Sequence, residues 1–269
     1  MPGIALGGLA VLCYAGAATA LWQHLMAREP GRRRLGLVLA ALGCAFHAWL
    51  LQRSLFGPHG LTLGLGGSVS LFAWQCALLV IIAALLRPVA SLGVVILPFA
   101  ALSVLVTAAL PPDPDAVTGL EGAIQVHIGL SLLAYGLLTL TAVQALVTAL
   151  QDRLLRRGGA VRLAQSLPPL QTMERLLFQL MTAGWLMLTL ALITGLIFAG
   201  NLLTQHLMHK TILSVAAWLV FLVLLWGRWR FGWRGRTAVR WTLGGYVVLI
   251  LAYFGSKMLL ELYLGTHWR

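Results

Sequence analysis

Seven histidines are the side chains in this sequence best suited to chemistry, and their spacing decides which can act together. His127 opens an apolar run. Ser131 and Tyr135 follow at intervals of four, so a helix carries all three on one face. His206 and His209 stand three apart in NLLTQHLMHKT, where only a helix aligns them. His47, in CAFHAWLLQR, lies deep in another apolar run, roughly 20 Å beyond the preceding arginines at the rise of a helix. An ionisable group within hydrocarbon is a functional candidate by default, whereas one at the interface often snorkels to water. On that scale His209 is the stronger of its pair and His206 a loop residue. His47 is balanced between ligand and core histidine, and His24, His59 and His267 are interfacial or terminal.

Neutral imidazole ligates haem iron, zinc and copper. Zinc usually takes a third or fourth protein ligand, and no Cys or carboxylate is suitably placed to serve. Haem needs two axial ligands, an apolar slot for the macrocycle and cations for its propionates. His127 and His209 are the expected metal ligands, with His47 matching them in depth. Arg53, Lys210 and Lys257 are the cations expected at propionates, and Trp49, Phe46 and Tyr135 the rings expected against the macrocycle. The expected cofactor is haem b. Cys13, Cys44 and Cys76 each fall within an apolar run, and no CxxC is present, so thiol-relay chemistry is not expected. No nucleophile–base pair or phosphate loop stands out, so the chain is not expected to be an enzyme.

The elements that must position these residues follow from composition. Of 269 residues 60% are hydrophobic and 10% charged, with a mean hydropathy of +0.90, far from a soluble domain. A bilayer-spanning helix needs about 20 apolar residues. Eight such runs are present, at about 4–26, 35–55, 66–86, 89–110, 123–149, 176–200, 210–227 and 238–261. Helix-breaking stretches such as REPGRRR, FGPHG, PPDPD and GWRG separate them. The fold class expected is an all-α integral membrane protein: one polytopic domain over 1–269, a bundle of about eight transmembrane helices. Small residues in GGLAVLCYAGAA and LGLGGSVS suit close helix packing.

Charge sets the orientation. The loops after the first, third, fifth and seventh runs collect fifteen of the 19 basic residues, against three acidic ones. By the positive-inside rule these loops are cytoplasmic and both termini lie outside. The first run has its basic cluster on the far side and no positive n-region, so it is read as a retained spanning helix rather than a cleaved signal. A net charge of +12 held in short loops between apolar runs marks a membrane topology and not a nucleic-acid binder. The linker 150–175, with DRLLRRGGAVR, is basic enough to rest on anionic headgroups.

Several blocks carry a resemblance: VHIGLSLLAYGLLTLTAVQAL, LPPLQTMERLLFQLMTAGWLMLTLALITGLIFA, HKTILSVAAWLVFLVLLWGRWRFGWRGRTAV and LAYFGSKMLLEL, with FHAWLL around His47. Over about 123–262 the sequence resembles the CcsA/HemX-type cytochrome c assembly membrane proteins. Within them it is similar to the short YpjD-type inner-membrane proteins. The resemblance implies a haem-handling, multi-pass protein of a bacterial inner membrane, with the family's external histidine falling on His127. Its block before the next helix falls on His209 and Lys210. The larger relatives carry a tryptophan-rich external loop before that block, whereas FAGNLLTQHLMHK contains no Trp. Their second external histidine falls on Leu264, with His267 three residues on. Pairing His127 with His209 is read from the residues and is not implied by the resemblance.

Three functions compete on this reading. The first is binding or passing haem on the outer face in cytochrome c assembly. The second is a non-haem accessory or regulatory subunit of another inner-membrane complex, a transporter or a biogenesis machine. The third is a transporter or channel, for which neither an intramembrane carboxylate chain nor a pair of broken helices is evident. Expected partners are membrane lipids and other inner-membrane proteins, cytochrome c biogenesis components among them.

Overall fold

The computed structural model describes residues 2–57, 60–61, 65–87, 89–109, 122–157, 161–198 and 205–252. Side chains at 2–4, 54–57, 60–61, 65, 109, 123, 161–162, 198 and 205–210 lie outside that description. The helices are α1 (Pro2–Ala27), α2 (Pro30–Leu55), α3 (Leu65–Leu86), α4 (Ala90–Ala109), α5 (Gly122–Arg157), α6 (Val161–Ser166), α7 (Leu170–Phe198), α8 (Gln205–Phe231) and α9 (Arg236–Ile250). Between α2 and α3, β1 (Phe56–Gly57) and β2 (Gly60–Leu61) form a two-residue antiparallel pair with Phe56 opposite Leu61. The fold is all-helical in substance. Among the described residues seven helices are long and apolar enough to cross a membrane. The eighth run, expected over 238–261, is described as α9 and continues to residue 252.

Side-chain distribution explains why such helices need a bilayer. Most buried positions are apolar, as in any bundle, but so are the outer faces: Leu12, Leu86, Leu105, Leu190, Ile193 and Leu196 all stand exposed, Leu12 by 69%. A helix apolar on every side loses too much in water, and hydrocarbon is the solvent that accepts it.

The helices group into two compact units. The first, Met1–Glu121 with Leu150–Leu170, contains α1 to α4 and α6. Here α1 packs along α2 and α4, and α3 closes against both. The core is built of Tyr14, Ala17 and Leu21 from α1 with Ala40, Cys44, Ala73, Ala77, Leu97 and Ala100. Small residues bring the helices together. A Cβ at Gly43 would stand 2.9 Å from the Tyr14 ring, and one at Gly93 would stand 2.5 Å from Leu21, so each glycine is the floor for a large neighbour. The short helix α6 is tied to the α1–α2 turn, where Arg28 donates to the carbonyl of Gln165 at 2.6 Å. Arg28 itself is left-handed at φ 55, and Pro30 then starts α2.

The second unit, Gly122–Ala149 with Gln171–Arg269, contains most of α5 with α7, α8 and α9. Ala134, Leu138, Ala145, Leu177, Met181, Leu188, Ala217, Phe221, Leu224 and Leu249 form its core. Trp185 of α7 stacks on Trp218 of α8 at 5.4 Å between centroids. Trp218 Nε1 donates to Thr189 at 2.8 Å, and Trp185 Nε1 to the Trp218 carbonyl at 3.3 Å. Thr139 of α5 and Tyr246 of α9 meet at 2.7 Å between hydroxyls. At the end of α8, Gly232 adopts φ 68 and returns its N–H to the Arg228 carbonyl at 3.1 Å, a left-handed helix stop.

Several helices outrun their apolar stretches. The run at 123–149 belongs to a helix that continues to Arg157, carried past the hydrocarbon pattern by polar contacts. Gln151 donates to the carbonyls of Ala164 and Pro168, and Arg156 pairs with Asp152 at 2.9 Å. Likewise α8 begins at Gln205 rather than 210, so positions 206 and 209 both fall on helical backbone.

Candidate functional site

His127 lies in the second turn of α5, half-buried, against the end of α7. Its Nδ1 is 3.2 Å from Thr194 Oγ1, and its Nε2 is 3.5 Å from Ser131 Oγ one turn along its own helix. The imidazole rests on Gly195, where a Cβ would come within 3.0 Å of Cε1. The helical face inferred from the spacing of four therefore has a partner on α7. Tyr135, one turn beyond Ser131, is part-buried against the core of the second unit.

The register of α7 and α8 locates position 209. The two helices run antiparallel, with Arg228 over the Phe178 ring at 4.7 Å and Trp218 bonded to Thr189 and Trp185. Carried along both helices, this register sets Thr194 and Gly195 within about one turn of position 209. Thus the starts of α5 and α8 lie at the same end of the second unit as the last turns of α7. The side chains of His206, His209 and Lys210 lie outside the described residues, as do Lys257, His59 and His267 entirely.

His47 belongs to the first unit and is differently engaged. It is buried, with Nε2 2.8 Å from Ser70 Oγ and Nδ1 3.3 Å from the Tyr14 hydroxyl. Both ring nitrogens have partners from neighbouring helices. Trp49, two positions on, is on the opposite face of α2 and half exposed, with the Arg53 guanidinium 5.6 Å from its ring centre. So Trp49 and Arg53 pair with each other and turn away from His47, as a two-residue step on a helix requires. His24 Nδ1 meets the Glu29 carbonyl at 2.8 Å. The three cysteines are free, and among the described residues no three His, Cys, Asp or Glu side chains gather as a metal site.

Sequence reasoning missed Thr194 and Gly195. The Thr-Gly pair in LITGLIF sits four residues from the end of an apolar helix, and a threonine there ordinarily bonds only its own helix. Its level with His127 appears only when the antiparallel pairing of α5 and α7 is known.

These features define a class: a multi-pass helical membrane protein with an imidazole seated at one end of a helical unit. The family described as "Cytochrome C assembly protein" matches residues 35–264, and the chain belongs to that family. It is 35% identical to the "Inner membrane protein YpjD" of Escherichia coli strain K12, over 97% of this chain and 99% of that one. It is 25% identical to the "Cytochrome c biogenesis protein CcsA" of Synechococcus sp. strain CC9902, over 89% and 88%. It is 23% identical to "Protein HemX" of Brevibacillus brevis, over 54% and 56%. No solved structure matches. The chain is therefore a multi-pass inner-membrane protein of the cytochrome c biogenesis kind.

Proposed function

We propose that this protein binds or passes haem on the outer face of the inner membrane, with His127 and His209 as the two axial ligands. The observation that carries the reading is His127 itself. It is a half-buried imidazole whose one nitrogen is held 3.2 Å from a threonine while the other has only a contact of 3.5 Å, at the outer limit of a hydrogen bond. The donor set suits haem: a single imidazole from α5, a second histidine at position 209 on the same end of the unit, and no thiolate or carboxylate cluster among the described residues. Bound haem would supply the iron, either as cargo or as a resident group.

The chain's own residues divide the remaining work. Lys210, beside His209, and Lys257 supply cations for propionates, and Tyr135 supplies a ring at the apolar edge. Arg53 with Trp49 fits an interfacial anchor, and His47 fits a support of the first unit, since its nitrogens are already engaged. The concentration of arginine in the loops after the first, third, fifth and seventh runs supports the outward placement of His127 and His209. The role is that of a carrier or assembly factor without turnover of its own.

An absorbance spectrum of the detergent-purified full chain tests this directly. The expected result is a Soret band that sharpens on reduction and is lost in His127→Ala. A colourless protein that co-purifies with another membrane protein would overturn it. The accessory-subunit reading, which the absence of Trp from FAGNLLTQHLMHK favours, would then take its place.

A further inference from the structure

We infer that Thr194 and Gly195 form a seat that fixes the tautomer of His127, putting the proton on Nδ1 and the lone pair on Nε2. Thr194 Oγ1 is 2.9 Å from the Leu190 carbonyl, 3.0 Å from that of Ala191 and 3.2 Å from His127 Nδ1. A hydroxyl has one hydrogen and two lone pairs. The hydrogen goes to the nearer carbonyls of its own helix, so the oxygen faces Nδ1 as an acceptor. Nδ1 must then carry the hydrogen, and the neutral ring keeps its lone pair on Nε2, the reverse of what a free imidazole favours in water. The Ser131 hydroxyl at 3.5 Å is too far to hold that lone pair firmly.

Gly195 makes the seat accessible. The ring lies against its bare Cα, and a Cβ would stand 3.0 Å from Cε1 and 3.5 Å from Nδ1. A Cβ there would make the imidazole give way by a few tenths of an ångström and change its fit against Thr194. Imidazoles that ligate metals usually donate their other N–H to a fixed acceptor, which sets both tautomer and ring orientation. Here the acceptor is an uncharged threonine on the facing helix. Thr194 and Gly195 are positioning residues. Their consequence for haem rests on the reading above, but the tautomer does not.

The test is nitrogen NMR of the full chain labelled with 15N-histidine, purified haem-free in detergent, read at His127 in its neutral state. Wild type and Thr194→Ser, which keeps the hydroxyl, are expected to show the proton on Nδ1. Thr194→Val, which keeps the shape and removes the acceptor, is expected to shift the population to the Nε2-protonated form. Gly195→Ala is expected to move the His127 signals, while Gly129→Ala, in open space on α5, leaves them in place. If Thr194→Val keeps the Nδ1 proton, or wild type lacks it, the seat is overturned. Adding haem separates the two readings: a wild-type protein with the expected tautomer that takes up no haem sustains the seat and overturns the haem function. If haem binds, Thr194→Val should weaken it at least several-fold, and Thr194→Ser should restore it.

Discussion

Ser70 Oγ stands 2.8 Å from Nε2 of His47 in the buried interior of the first unit. On the other side of the ring, the Tyr14 hydroxyl is 3.3 Å from Nδ1, and the Tyr14 ring meets the imidazole edge-on at 5.9 Å between centroids. One histidine thus joins α1, α2 and α3. A polar link of this kind satisfies groups that hydrocarbon would otherwise leave unpaired.

The link should be worth more to stability than to any ligand. Ser70→Ala removes one bond and is expected to cost about 1 kcal/mol, the scale of polar contacts between membrane helices. His47→Ala removes both bonds and opens a cavity, so about 2–4 kcal/mol is expected. Unfolding of the purified variants in detergent gives the numbers. A His47→Ala protein as stable as wild type, yet altered in its haem spectrum, would return His47 to the ligand set.

A second clasp lies within the second unit, in the α8–α9 turn. Glu174 Oε1 accepts the N–H of Gly235 at 2.7 Å, and Gly235 is left-handed at φ 59. Glu174→Ala leaves that donor to water, since the site is part-exposed, and is expected to cost about 1 kcal/mol. Glu174→Gln keeps an acceptor and should cost less. Gly235→Ala should cost about 1–2 kcal/mol through backbone strain alone. Thermal unfolding that ranks Glu174→Gln below Glu174→Ala would remove the hydrogen bond from the account.

Much of this was legible in the sequence, for a physical reason. Hydrocarbon demands long apolar runs, so the spanning helices announce themselves, and histidines within them stand out. Helix ends were less legible: apolarity stops where the bilayer stops, while α5 continues on Gln151 and the Asp152–Arg156 pair. Lateral pairing was hidden. Depth matching aligned His47 with His127 but could not show that Ser70 and Tyr14 occupy both nitrogens of the former, or that Thr194 meets only one of the latter. Thr194 was invisible because Thr139, Thr148, Thr182 and Thr189 also bond their own helices; nothing local marks the one that faces a histidine.

Topology has its own check. Reporter fusions after Arg157 and after Arg236 should report the cytoplasm, and fusions within 112–121 the outside, because arginine loads the loops after the fifth and seventh runs. The double change Arg234→Lys and Arg236→Lys should leave insertion intact, since the rule counts charge and not guanidinium shape. Swapped reporter signals would put His127 and His209 on the cytoplasmic side and overturn their proposed placement.

The sharpest expectation concerns His127 and His209 as one site. When two imidazoles share an iron, removing either leaves a weaker, five-coordinate centre. His127→Ala and His209→Ala should therefore each lose most of the Soret absorbance or the complementing activity. The double variant should lose little more than either single one, because residues acting as a unit are not additive. His24→Ala, whose ring is held by the Glu29 carbonyl, and His59→Ala are the controls and should match wild type. Additive losses from the two singles would mean separate sites, each with its own ligand. Two variants as coloured and as active as His59→Ala would mean no haem ligand at either position, and the protein would then act through its contacts with another membrane protein.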